Sequence, residues 1–431
     1  MPRPTPPGIE REVGLETYLT DEDGVGGRLK AFPEDFVVEE VPLAFPPPAA
    51  EGKYTVAALK VRNWETNRLM GELARQLGLP RESIFFAGTK DKRAITTQYV
   101  SLRAPEAQVR ALALRDVEVL ETRRVDRAPK IGELVGNRFI IRVRDHEGSA
   151  APILARLEQE GGFPNYFGVQ RFGVLRPVTH LVGQAILRGD LREAVRLYAG
   201  NPSLHEPDDA RVAREGYERE GAAALPLYPR HLSFEREMLR HLAQHPDDFE
   251  GALLALPRNL LTMFAYAAQS LAFNRILARR MQAGLGLNDP HEGDIVFGID
   301  ADGKPDKARL HHVTPRNHAR VQKLCREGRS LVSGVLYGSE VPLAGGEMGA
   351  LEAKVVAELG WTREDFLVQH LPEVASHGAR RELLAPLGPV RLQEGEDAAG
   401  AYAELSFFLL KGSYATCMLR EVMKSEAAAF A

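Results

Sequence analysis

The chain has 431 residues, 44% apolar and 26% charged, with 55 Lys and Arg against 59 Asp and Glu for a net charge of −4. This is the composition of an ordinary folded protein of two or three domains, and it excludes a disordered or fibrous chain. The two cysteines, Cys325 and Cys417, lie far apart with no CxxC, which argues against a disulfide framework or a cysteine zinc site and fits a reducing compartment.

The acidic total argues against a nucleic-acid partner, but the distribution does not. Residues 53–144 hold 19 Lys and Arg against 10 Asp and Glu. A cationic segment on an acidic protein reads either as a phosphate-binding face or as ordinary exposed charge. The opening MPRPTPPGIERE has no apolar core, so no signal peptide is expected. The longest apolar run, near residues 260–273, is interrupted by Gln269 and Ser270 and falls short of a membrane span. A cytoplasmic protein without membrane contact is expected. No protein partner is evident, and a monomer is expected.

Residues 1–20 are Pro-rich and polar, which predicts a loose lead-in. GVGG at residues 24–27 is not a dinucleotide fingerprint, because Leu29 stands in place of the last glycine and no βαβ setting follows. Residues 28–32 and 36–41 read as strands around the turn Pro33-Glu34-Asp35, with Phe36 a core residue on the plainest reading. AFPPPAA at residues 44–50 is linker-like. Residues 54–61 alternate as a strand. Asn63 or Thr66 then caps a helix to about Leu77, with Leu69, Met70, Leu73 and Leu77 on its buried side. Gly78 and Pro80 end it.

The next stretch is SIFFAGTKDKRAITTQYVS, residues 83–101. Ile84, Phe85 and Phe86 predict a buried strand, Gly88 a turn, and residues 95–100 a second β-rich run. Between them Asp91 is one carboxylate among Lys90, Lys92 and Arg93. An Asp in a charged turn is ordinarily a solvated turn residue. Here the loop is short and held between apolar strands, and adjacent cations favour a charged carboxylate, which suits a nucleophile or a base.

Residues 105–114 predict a helix opened by Pro105, and residues 117–125 a strand. The basic run Arg123, Arg124, Arg127, Lys130 reads as a solvated hairpin end or as an RNA phosphate contact. GELVGNRFIIRVR at residues 132–144 predicts a turn at Gly136-Asn137 that opens an alternating strand. Asn137 and Phe139 are two apart and share a face. They are a turn Asn and a core Phe, or a base-edge hydrogen bond beside an aromatic platform. Elements mix irregularly to about residue 160, which indicates α+β rather than a βαβ series. Beyond NYFGVQRFG at residues 165–173, helical patterns dominate to about residue 290, with examples at 179–187, 191–198, 233–242 and 260–281. From Gly293 the apolar segments are short. AYAELSFFLL at residues 401–410 predicts a strong strand leading into GSYAT and a last helix. His311 and His312 have no third ligand at metal spacing, so no metal site is expected.

GTKDKRAITTQ, NYFGVQRFG and GSYAT, in this order, together resemble the TruD family of tRNA pseudouridine synthases. The similarity extends from FPEDFVVEE to LKGSYATCMLRE, nearly the whole chain. The resemblance implies an enzyme that cuts the uracil C1′–N1 bond and rejoins the base through C5, acting on uridine 13 in the D arm of tRNA without a cofactor. It implies that Asp91 is the catalytic aspartate and Lys30, in RLKAFPEDF, the cation beside it. Lys90, Lys92 and Arg93 are nearer in sequence, but neighbours in a turn often point outward. Phe36, Asn137 and Tyr414 match substrate contacts, with Tyr414 standing where relatives often carry Phe. Phe139 occupies an aromatic position that is Tyr in other pseudouridine synthase groups.

The resemblance also implies the architecture: a discontinuous α+β catalytic domain with a mixed, mainly antiparallel sheet, formed by residues 1–161 and 387–431. Residues 162–386 would be an inserted α+β domain peculiar to the family. The RNA would lie between the two, with the target uridine flipped into the pocket. A protein that binds or folds RNA without chemistry would need the same cations and aromatics, but gains nothing from a carboxylate facing an anionic ligand. An RNA-processing hydrolase would want a metal cluster or a His-based acid–base pair.

Overall fold

The computed structural model of the protein describes residues 4–43, 47–49, 51–128, 133–300 and 305–426. Lys130 of the basic run and part of AFPPPAA lie outside the described residues. The fold is mixed α+β with a mainly antiparallel sheet. The chain divides into two compact units, Glu22–Phe163 with Pro386–Ala431, and Met1–Asp21 with Pro164–Ala385.

The first unit is built on a nine-stranded sheet. Seven strands come before the chain leaves for the second unit: β1 (Gly26–Arg28), β2 (Phe36–Pro42), β3 (Tyr54–Arg62), β4 (Ile84–Phe86), β5 (Ile95–Leu102), β6 (Val117–Val125) and β7 (Leu134–His146). Two more, Arg391–Asp397 and Gly400–Leu410, return as a hairpin. The order is Arg391–Asp397, Gly400–Leu410, β7, β2, β5, β3, β6, with β1 beside β7 and β4 beside β5. β2 and β5 run parallel. This places β2 between β7 and β5, so residues near both ends of the sequence share one face.

The helix Thr66–Leu77 lays Leu69, Met70 and Leu73 on Ala57, Leu59 and Val61 of β3 and on Val100 and Leu102 of β5. Each such side chain contributes about 1.5–3 kcal/mol on full burial. The helix is capped by Glu65, whose carboxylate accepts from the backbone N–H groups of Asn67 and Arg68 at 2.9 and 2.8 Å. Neither Asn63 nor Thr66 caps it. Asn63 adopts a left-handed φ of 59°, and the Thr66 hydroxyl accepts from the Lys90 backbone N–H instead.

Other expectations change for equally local reasons. The strand expected at 28–32 ends at Arg28, because Lys30 takes φ 54° and turns the chain. The expected turn at Gly136-Asn137 is absent, and β7 runs straight through. Gly136 is there for close approach: a Cβ would sit 2.1 Å from the Leu409 carbonyl oxygen on the neighbouring strand. The helix expected over 105–114 is confined to Glu106–Arg110. In the basic run, Arg124 turns inward to Thr55, the Ala104 carbonyl and the Gly52 carbonyl. Arg127 pairs with Glu133.

The second unit joins helices Thr179–Leu187, Leu191–Ala199, Asp208–Glu220 and Ser233–Gln244 to a 25-residue helix, Arg258–Gln282. It also holds a four-stranded antiparallel sheet ordered Pro305–His312, Ile295–Ile299, Ser330–Leu336, Ala379–Glu382. The lead-in is not loose. Val13, Leu15 and Tyr18 are buried in this unit, and the Asn274 amide donates to the Val13 carbonyl at 2.9 Å. No helix among the described residues is long and apolar enough to cross a membrane.

Candidate active site

Strands β4 and β5 pair antiparallel, Phe86 opposite Val100, so residues 87–94 form a loop at one end of the ladder. That loop is anchored from several sides. The Lys90 backbone N–H donates to Thr66 Oγ1 at 2.9 Å. Arg93 donates to the Ala31 carbonyl at 2.9 Å, and the Asn63 N–H donates to the Ala94 carbonyl at 2.9 Å. Asp91 is thereby held on a fixed backbone, with its side chain 47% exposed.

Lys30 meets it. The Lys30 ammonium donates to Asp91 Oδ1 at 2.7 Å, and the lysine side chain is only 9% exposed. The left-handed backbone at Lys30 brings it across from the turn after β1, 61 residues away in sequence. Its Nζ also stands 4.5 Å from the Phe36 ring centroid, so the cation is shared between a carboxylate and an aromatic face.

Beneath this pair lies an aromatic floor. Phe36 contacts Phe139 edge-on at 6.3 Å, and Phe139 stacks on Phe407 at 5.3 Å. The register explains the grouping: Phe139 of β7 lies opposite Val38 of β2 on one side and Phe407 on the other. All three rings are buried. One pleat further, Asn137 lies between Glu40 and Leu409. Its amide oxygen is buried with no hydrogen-bond partner, an unmet acceptor on the same face as Phe139.

Tyr414 stands at the N-cap of the last helix, Ala415–Met423, and is half-buried. The segment before it is tied to the same end of β7 as Asn137 by the Lys411 N–H donating to the Val135 carbonyl at 3.0 Å. Lys30, Phe36, Asp91 and Phe139 are thus linked by direct contact, Asn137 by strand register, and Tyr414 by the strand that carries it in.

A family model described as tRNA pseudouridine synthase D (TruD) matches residues 12–422. The chain belongs to the TruD family. A "Probable tRNA pseudouridine synthase D" of Methanosarcina barkeri is 40% identical over 431 residues, covering 97% of this chain and 98% of its own. One of Thermococcus gammatolerans is 41% identical over 416 residues, covering 94% and 97%. A crystal structure of the TruD protein from Methanosarcina mazei matches with a TM-score of 0.85 at 38% identity, over 98% of this chain and 99% of that one.

In this TruD family member, NYFGVQRFG lies in the second unit and packs it together. The Asn165 amide donates to the Glu382 carbonyl at 2.9 Å. The Phe167 N–H donates to Asn274 Oδ1 at 2.9 Å, and the Phe167 ring meets Phe273 edge-on.

Sequence reasoning missed Glu40. It sits on the inward face of β2 after Phe36 and Val38, with its side chain 2% exposed, and the Lys90 ammonium donates to it at 2.5 Å. Lys90 therefore points inward, contrary to the outward direction expected of the loop cations. The signal was present in FVVEE, where period-two alternation puts a glutamate on the buried face and a buried charge needs a partner.

Proposed function

We infer that this protein is a tRNA pseudouridine synthase that isomerises uridine 13 in the D arm of tRNA, with Asp91 as nucleophile. The observation that carries this reading is the contact of Asp91 with the covered ammonium of Lys30, above Phe36 and Phe139 and on the same sheet as an unpartnered amide oxygen. The carboxylate adds covalently to the base or to the sugar carbon, so that one difficult exchange of C1′–N1 for C1′–C5 becomes two easier steps. Lys30 holds the carboxylate in place and balances its charge. The target uridine reaches it by flipping out of the stack, at about a few kcal/mol.

In this role the Asn137 amide hydrogen-bonds the edge of the flipped uracil, and its buried oxygen without a protein partner supports that reading. Phe36 and Phe139 form the floor, and Phe139 has no hydroxyl with which to transfer a proton. Tyr414 adds a ring with a polar tip at the same end of β7. The first unit is the catalytic domain and the second, which also takes in Met1–Asp21, is the inserted one. The protein acts on tRNA in the cytoplasm and uses no cofactor.

The test is incubation with unmodified tRNA, scored by carbodiimide adducts and primer extension. A single stop reporting position 13 is the expected result. Asp91→Asn should lower turnover at least about 10⁴-fold, the scale of losing a covalent nucleophile, while tRNA binding persists. Equal product from the Asn variant would remove Asp91 from the mechanism.

A further inference from the structure

Glu40 and Lys90 form an ion pair whose side chains are 2% and 5% exposed. A buried pair of this kind gives little net stability, since a well-packed apolar pair would serve the core as well. Its position suggests another use. Lys90 immediately precedes Asp91, and the two side chains go to different places: Lys90 is covered and Asp91 is half open. With Lys90 anchored inward, the backbone that carries Asp91 is fixed one residue away from the carboxylate that Lys30 meets at 2.7 Å. Two fixed elements hold Lys90. Glu40 on β2 takes its ammonium at 2.5 Å, and Thr66, the first residue of the helix Thr66–Leu77, takes its backbone N–H at 2.9 Å. Glu40 is also the residue opposite Asn137 in the β2–β7 ladder. One buried carboxylate thus borders both the loop carrying Asp91 and the strand carrying the unpartnered amide.

We propose that Glu40, acting through Lys90, is the positioning residue that aims Asp91 at the substrate. Glu40 touches neither substrate nor reacting atoms. This rests on the reading of Asp91 as the nucleophile. A displacement of about 1 Å at a reacting group lowers rates on the order of 10²-fold, so loss of this anchor acts on kcat while leaving tRNA binding intact.

The experiment compares Glu40→Gln, Lys90→Met, the double variant and Asp91→Asn, measuring tRNA kcat, KM and the melting temperature of each. Each single variant leaves one buried charge unpaired, so both melt lower and turn over more slowly. The double variant removes both charges. It is expected to regain most of the melting temperature while kcat stays about 10²-fold low with KM within about twofold of the wild type. Recovery of kcat together with stability would show that the pair is merely structural and overturn the proposal. A raised KM at unchanged kcat would overturn it too. If the double variant does not fold, Glu40→Asp decides, because it keeps the ion pair but draws the loop back by about 1.5 Å. Reduced kcat in that folded variant supports the aiming role, and wild-type kcat removes it. Turnover by Asp91→Asn would sink the nucleophile assignment itself, whereas an inactive Asp91→Asn beside a fully active double variant sinks only the role of Glu40.

Discussion

Lys30 Nζ lies 2.7 Å from Asp91 Oδ1, with the lysine covered and the aspartate half open. The asymmetry matters: the cation is fixed by its surroundings, and the carboxylate is left accessible on one side. Lys30→Met removes the charge but retains the stem. It should lower kcat by about 10²-fold, the scale of removing one preorganised electrostatic partner, with tRNA affinity nearly unchanged. Single-turnover rates at saturating enzyme measure this, and a wild-type rate would take Lys30 out of the active site.

Asn137 carries a buried amide oxygen without a partner. Leaving such a group unpaired lowers stability by about 1–3 kcal/mol. Asn137→Leu should therefore raise the denaturation midpoint while reducing turnover on tRNA, a gain of stability at the expense of function. Chemical denaturation with a parallel activity assay tests it. A Leu variant that is both less stable and fully active would contradict the assignment.

His180 is buried against Phe172, 5.3 Å between ring centroids. Burial, with a smaller contribution from Arg275, pushes its pKa down to about 4. The folded value lies below the unfolded one, so the folded protein prefers the neutral ring. Its stabilising effect is complete above about pH 6.5 and is lost as pH falls towards 4. The difference amounts to roughly 3 kcal/mol. Urea titrations at pH 7.5 and 4.5 should show a smaller loss for His180→Leu than for the wild type. Parallel losses would exclude His180 as the source.

Arg144 binds Asp35 and Asp397 at once, both at 2.7 Å, clamping β7 to the turn before β2 and to the C-terminal hairpin. Hydrogen bonding from Arg144, with help from the Ala399 N–H, holds the Asp397 pKa down to about 2. Depression of a carboxylate pKa gives stability that is present above about pH 4 and lost as pH falls towards 2. Asp397→Asn should flatten the acid limb of the melting curve over that window. Arg144→Met, which strands the fully buried Asp35, should destabilise at neutral pH by about 3–5 kcal/mol. Thermal melts across pH 2–7 separate the two effects.

By itself the sequence determined the elements with strong period and strong composition. Residues 84–86 and 117–125 formed strands as expected, and Leu69, Met70 and Leu73 faced the core, because local patterning dictates which side of an element is buried. The order of its motifs pointed to the family. The tertiary structure alone decided what long-range contact controls. It turned Lys90 onto Glu40, made Gly136 a point of close strand approach rather than a turn, and packed residues 13–18 into the second unit. It also set Lys30 against Asp91 across 61 residues. Such pairings depend on which strands become neighbours, and strand order is a property of the whole chain that no local window of residues contains.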